Sequence, residues 1–335
     1  MKRSAFKFLP LVFVMAACQT SEHPPCPEKA LSTRFMSELK LKGENAVIIE
    51  EGAKDVLLQG VFQNAINLAL SGKIQPLAPF NSVWEADLIV LTPQEMKMKL
   101  FTVDTQYIEN PNPPYDLVMQ VVNDSFELSQ AYSIRPYEIW QLDTLRITKK
   151  VDGYAIVRES VDKVTGEVRG TEPLFMVRNS AKTGTSKKVA TIRYTQPIAD
   201  ADPLQPWMWY RQNLEASVRE RVFGNLLAKA TQGNLTAYAS PTDKTPLSKE
   251  ALTASLQHKD TVYIESPEPP YDLSQVVMDV PTEDMDILAI EFVQDVLIDE
   301  HGNLTIDVKW YGPVTGNTDK NGQLTNPKTL FWVKN

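Results

Sequence analysis

The chain has 335 residues, of which 43% are hydrophobic and 23% are charged. This balance is typical of a globular protein and argues against a mostly disordered or collagen-like chain. The net charge of −8 argues against nucleic-acid binding, since that function needs clustered positive charge. With three histidines and two cysteines, the sequence offers few metal ligands and few thiol nucleophiles.

The first 17 residues are predicted to be an export signal. Basic residues precede an apolar run at 8–17, which is too short for a membrane span of about 20 residues. The run ends in Ala16-Ala17-Cys18, and two small residues directly before a cysteine resemble the lipobox of bacterial lipoproteins. That motif implies cleavage before Cys18 and lipidation of this residue. A plain secretory signal is the alternative.

Residues 18–43 are predicted to be an extended tether between the membrane and the folded part. If Cys18 carries lipid, Cys26 is the only thiol left in the mature chain. No internal disulfide is then expected, although an export compartment would allow one.

The most informative feature is an internal duplication. Residues 104–117 read DTQYIENPNPPYDL and residues 260–273 read DTVYIESPEPPYDL, so that eleven of fourteen positions are identical at an offset of 156. Two copies predict a pseudo-symmetric pair of domains rather than a solenoid, which usually needs three or more units. The predicted domains are 44–178 and 206–335. A linker rich in Ser, Thr, Gly and Pro is predicted at 179–205.

Each copy is predicted to contain two helices and several strands. The first helix ends at Gly72 in one copy and at Gly233 in the other, where a left-handed cap favours glycine. The second helix begins at Thr92, in a capping-box sequence, or at Ser248. The predicted strands are 105–108, 134–142, 153–161, 261–264, 287–298 and 304–310. The fold class is therefore α+β, with a small antiparallel sheet and two helices in each domain.

No catalytic residue, metal site or cofactor is predicted, and the protein is therefore expected not to be an enzyme. The sequence contains neither a nucleophile elbow nor a zinc-protease motif. Residues 317–322 begin like a calcium loop, but Lys328 stands where a bidentate glutamate is needed. A pair of carboxylates acting on sugars stays open, because 42 acidic residues allow many spatial arrangements.

Two proline boxes are the most distinctive local motifs and are candidates for partner binding. One interpretation is a rigid crossover in which the tyrosine packs as an anchor, and the other is a polyproline ridge that a partner recognises. The residues concerned are Pro113, Pro114, Tyr115, Pro269, Pro270 and Tyr271.

Aromatic residues also cluster at the start of the second copy. Trp207, Trp209 and Tyr210 follow directly after the predicted linker. They either pack within the domain or its junction, or act as anchors of an interface, where Trp and Tyr are typical hot-spot residues.

Several of these segments resemble the gliding-motility protein N family of Bacteroidetes, whose members are components of the type IX secretion machinery. The resemblance rests on residues 132–143 (YSIRPYEIWQLD), on Gly312-Pro313-Val314 and on the closing Leu-Phe-Trp-Val at 330–333. Both predicted domains carry the pattern. The motifs are short and mostly structural.

The resemblance implies a non-enzymatic periplasmic part that binds an outer-membrane lipoprotein and helps to build a large ring. This chain departs from the family because it carries its own lipidation motif at Cys18, which favours an accessory scaffold bound to the outer membrane. The alternatives are a lipid-anchored binding protein for a sugar or peptide, and a hydrolase that uses carboxylates. A cleft lined by aromatic residues favours the binding protein, a deep pocket of acids the hydrolase, and flat apolar patches the scaffold.

Overall fold

A computed structural model describes the folded part of the chain. The described residues are 31–78, 89–101, 103–123, 125–143, 145–162, 166–182, 184–199, 214–265, 273–319 and 324–335. The predicted signal peptide and the first half of the predicted tether, residues 18–30, lie outside this range.

Within the described residues the protein is a mixed α+β fold with mostly antiparallel strands and four helices. In chain order the strands are β1 (Leu31–Met36), β2 (Leu39–Lys40), β3 (Ile48–Ile49), β4 (Pro76–Leu77), β5 (Val103–Glu109), β6 (Leu117–Asn123), β7 (Ala131–Leu142), β8 (Ile147–Val161), β9 (Val168–Arg178), β10 (Lys187–Pro197), β11 (Gln257–Glu265), β12 (Leu273–Pro281), β13 (Ala289–Ile298), β14 (Leu304–Thr318), β15 (Leu324–Thr329) and β16 (Val333–Lys334). The helices are α1 (54–70), α2 (Pro93–Leu100), α3 (216–232) and α4 (Lys249–Ser255).

The strands form two six-stranded sheets and two separate hairpins. The first sheet has the order β1-β7-β8-β9-β4, with β2 also paired to β7. The second has the order β15-β14-β13-β10-β3, with β16 also paired to β14. The hairpins are β5–β6 and β11–β12, and each is a two-stranded sheet of its own.

The helix ends follow the local sequence rules. Thr92 Oγ1 accepts a hydrogen bond from Glu95 N (3.2 Å), and Glu95 Oε2 accepts one from Thr92 N (2.7 Å), which completes the predicted capping box. Ser248 caps α4 by a single hydrogen bond, since its Oγ accepts from Ala251 N (3.2 Å). Gly72 and Gly233 have φ of 69° and 76°, so the predicted left-handed caps are confirmed.

The segment predicted as a linker contains a strand. Residues Lys187–Pro197 form β10, which pairs with both β13 and β3 in the second sheet. Ala190, Ile192 and Tyr194 alternate with more exposed residues, as in a strand with one face in the core. The expectation of an irregular connection is corrected for these residues, and the domain boundaries themselves stay a prediction.

The predicted tether also extends into folded structure. Strands β1 and β2 lie within 18–43 and pair with β7, and Phe35 in β1 is fully buried. Phe35 stacks on Trp140 of β7 with ring centroids 4.1 Å apart. The expectation of an extended tether is therefore wrong from Leu31 onward, where the chain belongs to the folded part.

The two large sheets share one hydrophobic core. Strand β8 lies against β14, and Trp140 of the first sheet meets Phe292 of the second edge-to-face at 5.5 Å. Asn179 joins the sheets by hydrogen bonds, since its Nδ2 donates to Val151 O (2.8 Å) and to Leu304 O (2.7 Å). Each sheet thus covers apolar surface of the other.

A buried lysine lies at the centre of this contact. Lys149 of β8 is fully enclosed, and its Nζ donates to Tyr194 Oη (2.7 Å) and Gln294 Oε1 (3.2 Å) of the second sheet. The same Nζ lies 3.9 Å from Glu138 Oε2 and 3.7 Å from the centroid of the Phe292 ring. The ammonium is therefore held by a carboxylate, two polar groups and an aromatic face.

The carboxylate partner is itself fully buried and hydrogen-bonded. Glu138 Oε2 accepts from Ser37 Oγ (2.8 Å) and from Trp140 Nε1 (2.5 Å). A buried ion pair has a high desolvation cost, and removing one partner alone leaves an uncompensated charge in the core. The ammonium of Lys149 and the carboxylate of Glu138 therefore compensate each other in the core, and neither is expected to be tolerated there alone.

We predict that Lys149→Met destabilises the protein by about 3–5 kcal/mol, because it leaves Glu138 buried without its cation. The double variant Lys149→Met/Glu138→Gln removes both charges and keeps an acceptor for Ser37 and Trp140, so it should be more stable than the single variant. Urea denaturation of the two variants and the wild type measures this difference. A double variant as unstable as the single one would contradict the charge argument.

We also predict a specific pH dependence of stability from Lys149. Burial lowers the pKa of Lys149 from its ordinary value of 10.5 to about 8. Between these two values the unfolded chain binds more protons than the folded one, so the free energy of unfolding rises with pH by about 1 kcal/mol per pH unit. The rise should appear in urea denaturation just above pH 8 and be absent from Lys149→Met. Burial raises the pKa of Tyr154 and Tyr194, an effect of opposite sign that begins near pH 10.

Candidate functional site

The two hairpins are regular antiparallel ribbons. In β5–β6 the register runs without a shift from Val103↔Asn123 to Glu109↔Leu117, and in β11–β12 it runs from Gln257↔Pro281 to Glu265↔Leu273. Their strands are rich in Val, Ile, Tyr and Thr, which favour extended backbone. The registers are related by the same offset of 156 residues that relates the sequences.

Each hairpin begins at the end of a short helix that is fixed in the core. Phe126 N donates to Leu100 O and Thr282 N donates to Leu256 O, both at 2.7 Å. Leu100 and Leu256 are buried members of the same hydrophobic core. The roots of both hairpins are therefore anchored in the body of the protein.

The hairpins themselves expose a large number of apolar side chains. In β5–β6 the exposed fractions range from 51% for Val118 to 68% for Val103. The exposed apolar residues of the first hairpin are Val103, Tyr107, Leu117, Val118, Met119 and Val121, and those of the second are Val262, Tyr263, Ile264, Leu273, Val276, Val277 and Met278. Contiguous apolar surface of this kind marks a site that binds another molecule.

The register shows how these side chains are arranged on the ribbon faces. Residues directly opposite in an antiparallel pair share a face, so Tyr107 and Met119 form one exposed apolar pair of the first hairpin. In the second hairpin, Thr261↔Val277 and Val262↔Val276 are successive pairs and lie on opposite faces. Exposed apolar residues therefore occur on both faces of β11–β12.

The hairpins are acidic as well as apolar. Residues 103–123 contain three acidic residues and no lysine or arginine, and residues 257–281 contain five acidic residues and one lysine. A partner with basic side chains beside apolar ones would match this composition.

The first proline box forms the turn of β5–β6. Asn110 N donates to Asp116 O (2.9 Å) and Tyr115 N donates to Asn112 O (3.0 Å), so the chain folds straight back on itself. Pro113 and Pro114 are exposed, and Tyr115 is 57% exposed. The expectation of a crossover with a packed tyrosine anchor is therefore wrong for this box, while its role in partner binding stays a prediction.

The remaining predicted site residues lie outside the described residues. These are Cys18, Trp207, Trp209, Tyr210, Pro269, Pro270 and Tyr271. Their proposed roles in lipidation and partner binding stay predictions.

Sequence reasoning placed β5 and β11 but missed β6 and β12. The signal was present, because the run Leu-Val-Met-Gln-Val-Val at 117–122 follows a turn sequence and has high strand propensity. A second apolar strand directly after the proline box would have indicated a hairpin.

Two cavities among the described residues have linings of mixed polar and apolar character. One of about 340 Å³ contains Glu95 and Glu172, but Glu95 caps α2 and Glu172 pairs with Arg158 at 3.0 Å. Another of about 410 Å³ lies at the root of β11–β12 and includes His258 and Asp286. Neither of these two cavities holds a cluster of free carboxylates.

The same described residues also bear on metal binding and membrane crossing. They contain no group of three or more His, Cys, Asp or Glu side chains placed to hold a metal ion. None of their helices combines the length and the apolar character needed to cross a membrane.

No protein-family model matches the sequence, and a search of curated proteins finds no significant match. The resemblance to gliding-motility protein N therefore rests on the short motifs quoted above and stays a prediction.

Proposed function

We propose that this protein is a non-enzymatic scaffold of the bacterial cell envelope, which binds a protein partner through the hairpins β5–β6 and β11–β12. The observation that carries the proposal is the exposure of apolar side chains along both ribbons. Isolated two-stranded hairpins are marginally stable in water, so ribbons of this composition gain stability when a partner covers them.

The form of the surface supports a scaffold over a small-molecule binder. Ligand sites are usually concave and bury most of the ligand, whereas protein interfaces are flat with an apolar centre. Tyr107 and Tyr263 stand on exposed ribbons at 67% and 64% exposure, away from any cleft defined by the cavities described above.

We further propose that 44–178 and 206–335 are two copies of one domain. Support comes from features that recur at an offset of 156 residues: the two hairpin registers, the hydrogen bonds at their roots, and the capped short helices Leu128–Gln130 and Asp284–Asp286. Two similar surfaces on one chain would act as a bivalent scaffold, in which binding at one site raises the effective concentration at the other.

The location and family of this scaffold are part of the proposal. Lipidation of Cys18 would anchor the chain to the outer membrane, facing the periplasm, because several acyl chains bind a bilayer firmly. The resemblance to gliding-motility protein N would place it in the gliding and type IX secretion apparatus. The partner would be an envelope protein, with an outer-membrane lipoprotein of the secretion ring as the candidate that the resemblance implies.

We predict that Cys18→Ser releases the chain from the membrane fraction. The serine side chain cannot form the thioether that carries the lipid, so labelled palmitate should enter the wild type and not the variant. Fractionation of cells that express each form measures the change. The proposed anchor is wrong if the variant stays with membranes and the wild type incorporates no label.

We predict that four substitutions on the hairpins abolish partner recovery without unfolding the protein. Tyr107→Thr, Met119→Thr, Tyr263→Thr and Val277→Thr keep strand propensity and remove exposed apolar surface. Loss of one central anchor typically costs about 2 kcal/mol, or roughly thirtyfold in affinity. Partner recovery is measured by crosslinking in intact envelopes, followed by purification of the tagged chain.

The control variant replaces exposed apolar residues elsewhere. Leu145→Thr with Val168→Thr alters side chains that are exposed outside the hairpins, and it should leave recovery unchanged. Both variants should unfold within about 1 kcal/mol of the wild type, since exposed substitutions have small effects. Full partner recovery by the hairpin variant would refute the proposed function.

A further inference from the structure

The edges of the first hairpin are unusually open. Strands β5 and β6 form a two-stranded sheet of their own, and the outer edge of β6 pairs with no other strand among the described residues. Proteins normally protect such edges with lysine, proline, a bulge or a very short strand. Strand β6 has none of these devices, because it contains neither lysine nor proline, it is seven residues long, and its register with β5 has no shift.

Three edge strands of the large sheets carry such devices. Strands β3 and β4 are edge strands of only two residues each. The edge strand β15 carries Pro327 and Lys328, and its register with β14 shifts between Thr315 and Asn317. Strand β6 lacks the devices found at β3, β4 and β15. The six-residue edge strand β1 also has no lysine, proline or register shift, but it carries the charged residue Arg34.

The hydrogen-bond pattern shows which groups point to the free edge. Asn110 N donates to Asp116 O, and this pair continues the register next to Glu109↔Leu117. Bonded and non-bonded pairs alternate along an antiparallel ladder. The N–H and C=O groups of Leu117, Met119 and Val121 thus point away from β5, and their side chains share one exposed face.

We propose that the free edge of β6 binds an extended segment of a partner protein, with alternating apolar and basic residues, as a third antiparallel or parallel strand. The inference rests on the proposed function and names the chemistry of the partner. Backbone groups at Leu117, Met119 and Val121 supply the hydrogen bonds, and the side chains around them supply the apolar contacts.

Charge selects this occupant over the alternatives. Glu109 and Asp116 stand at the turn end of the ribbon, and the whole hairpin has no lysine or arginine. A second copy would bring a hairpin of like charge against it, and an anionic membrane surface would repel it. A basic strand gains from the same charges, and the gain decreases with salt.

The test uses the purified full chain and a fluorescent nine-residue peptide of sequence KVTVKVTVK, with blocked ends. Anisotropy titrations should show saturable binding that weakens as salt is added. Two control peptides are matched to it: one carries glutamate in place of lysine, and the other has N-methyl groups on alternate amides, which prevents pairing through that edge. Both should bind at least tenfold more weakly than the parent peptide.

A pair of variants locates the site on the protein. Val121→Pro removes an N–H directed to the free edge, whereas Val121→Thr keeps that N–H and is similar in shape. Peptide binding should fall at least tenfold in Val121→Pro and stay within about threefold in Val121→Thr. If Val121→Pro disrupts the hairpin by circular dichroism, the N-methylated peptide still tests the edge on the unmodified protein.

Three results would overturn the inference. The first is equal binding of the parent and N-methylated peptides. The second is self-association in sedimentation experiments that Val121→Pro abolishes, which would assign the edge to a second copy. The third is binding to phosphatidylethanolamine–phosphatidylglycerol vesicles that Val121→Pro abolishes, which would assign it to lipid.

The envelope crosslinking experiment separates this inference from the proposed function. If the four-threonine hairpin variant loses its partner but Val121→Pro keeps it, the hairpins bind by their faces, and the edge inference alone fails. If both variants keep the partner, the proposed function fails as well.

Discussion

The arrangement of the two sheets depends on the burial of the Lys149 ammonium between them. Its hydrogen bonds to Tyr194 and Gln294 cross from the first sheet to the second, and Glu138 supplies the compensating charge from the first. Apolar contacts are non-directional, whereas hydrogen bonds depend on direction and weaken steeply when the donor–hydrogen–acceptor angle falls below about 120°. The lysine thus favours one relative position of the sheets, and the rings of Trp140, Tyr194 and Phe292 lie around it in edge-to-face and tilted arrangements.

This shared core explains why the exposed hairpins are a meaningful feature. The body of the protein buries large aromatic residues completely, among them Tyr154 and Phe292. The apolar surfaces of both sheets enclose them. The same chain leaves Tyr107 and Tyr263 exposed on ribbons that no other described element covers. Because the body of the protein encloses aromatic rings of this size, the exposure of the two tyrosines is a local feature of the hairpins. This contrast supports the proposal that an external partner binds the ribbons.

Local sequence rules predicted the local structure and little beyond it. The capping box at Thr92 and the glycine cap at Gly233 depend on residues a few positions apart, so the sequence specifies them directly. Strand β10 was missed because Ser, Thr and Pro residues around it are typical of a linker. Its pairing with β13, which is distant in the sequence, makes it a strand. The role of Lys149 was equally hidden. It stands beside Lys150 in a polar sequence, and its burial arises from residues 45 and 145 positions away.

The proposed bivalent scaffold requires a fixed spacing between the two hairpins, and both hairpins are joined to the same core. The roots of both ribbons, at Leu100 and Leu256, belong to one continuous core, so the position of each ribbon is set by the same packing that Lys149 restricts. Two similar surfaces on a rigid body can engage a partner together only when their spacing matches, and the gain in affinity disappears when it does not. Core residues that touch no partner would then contribute to assembly by holding the two ribbons at one separation. In this view the conformational constraint in the core and the open strand edge on the surface serve the same function.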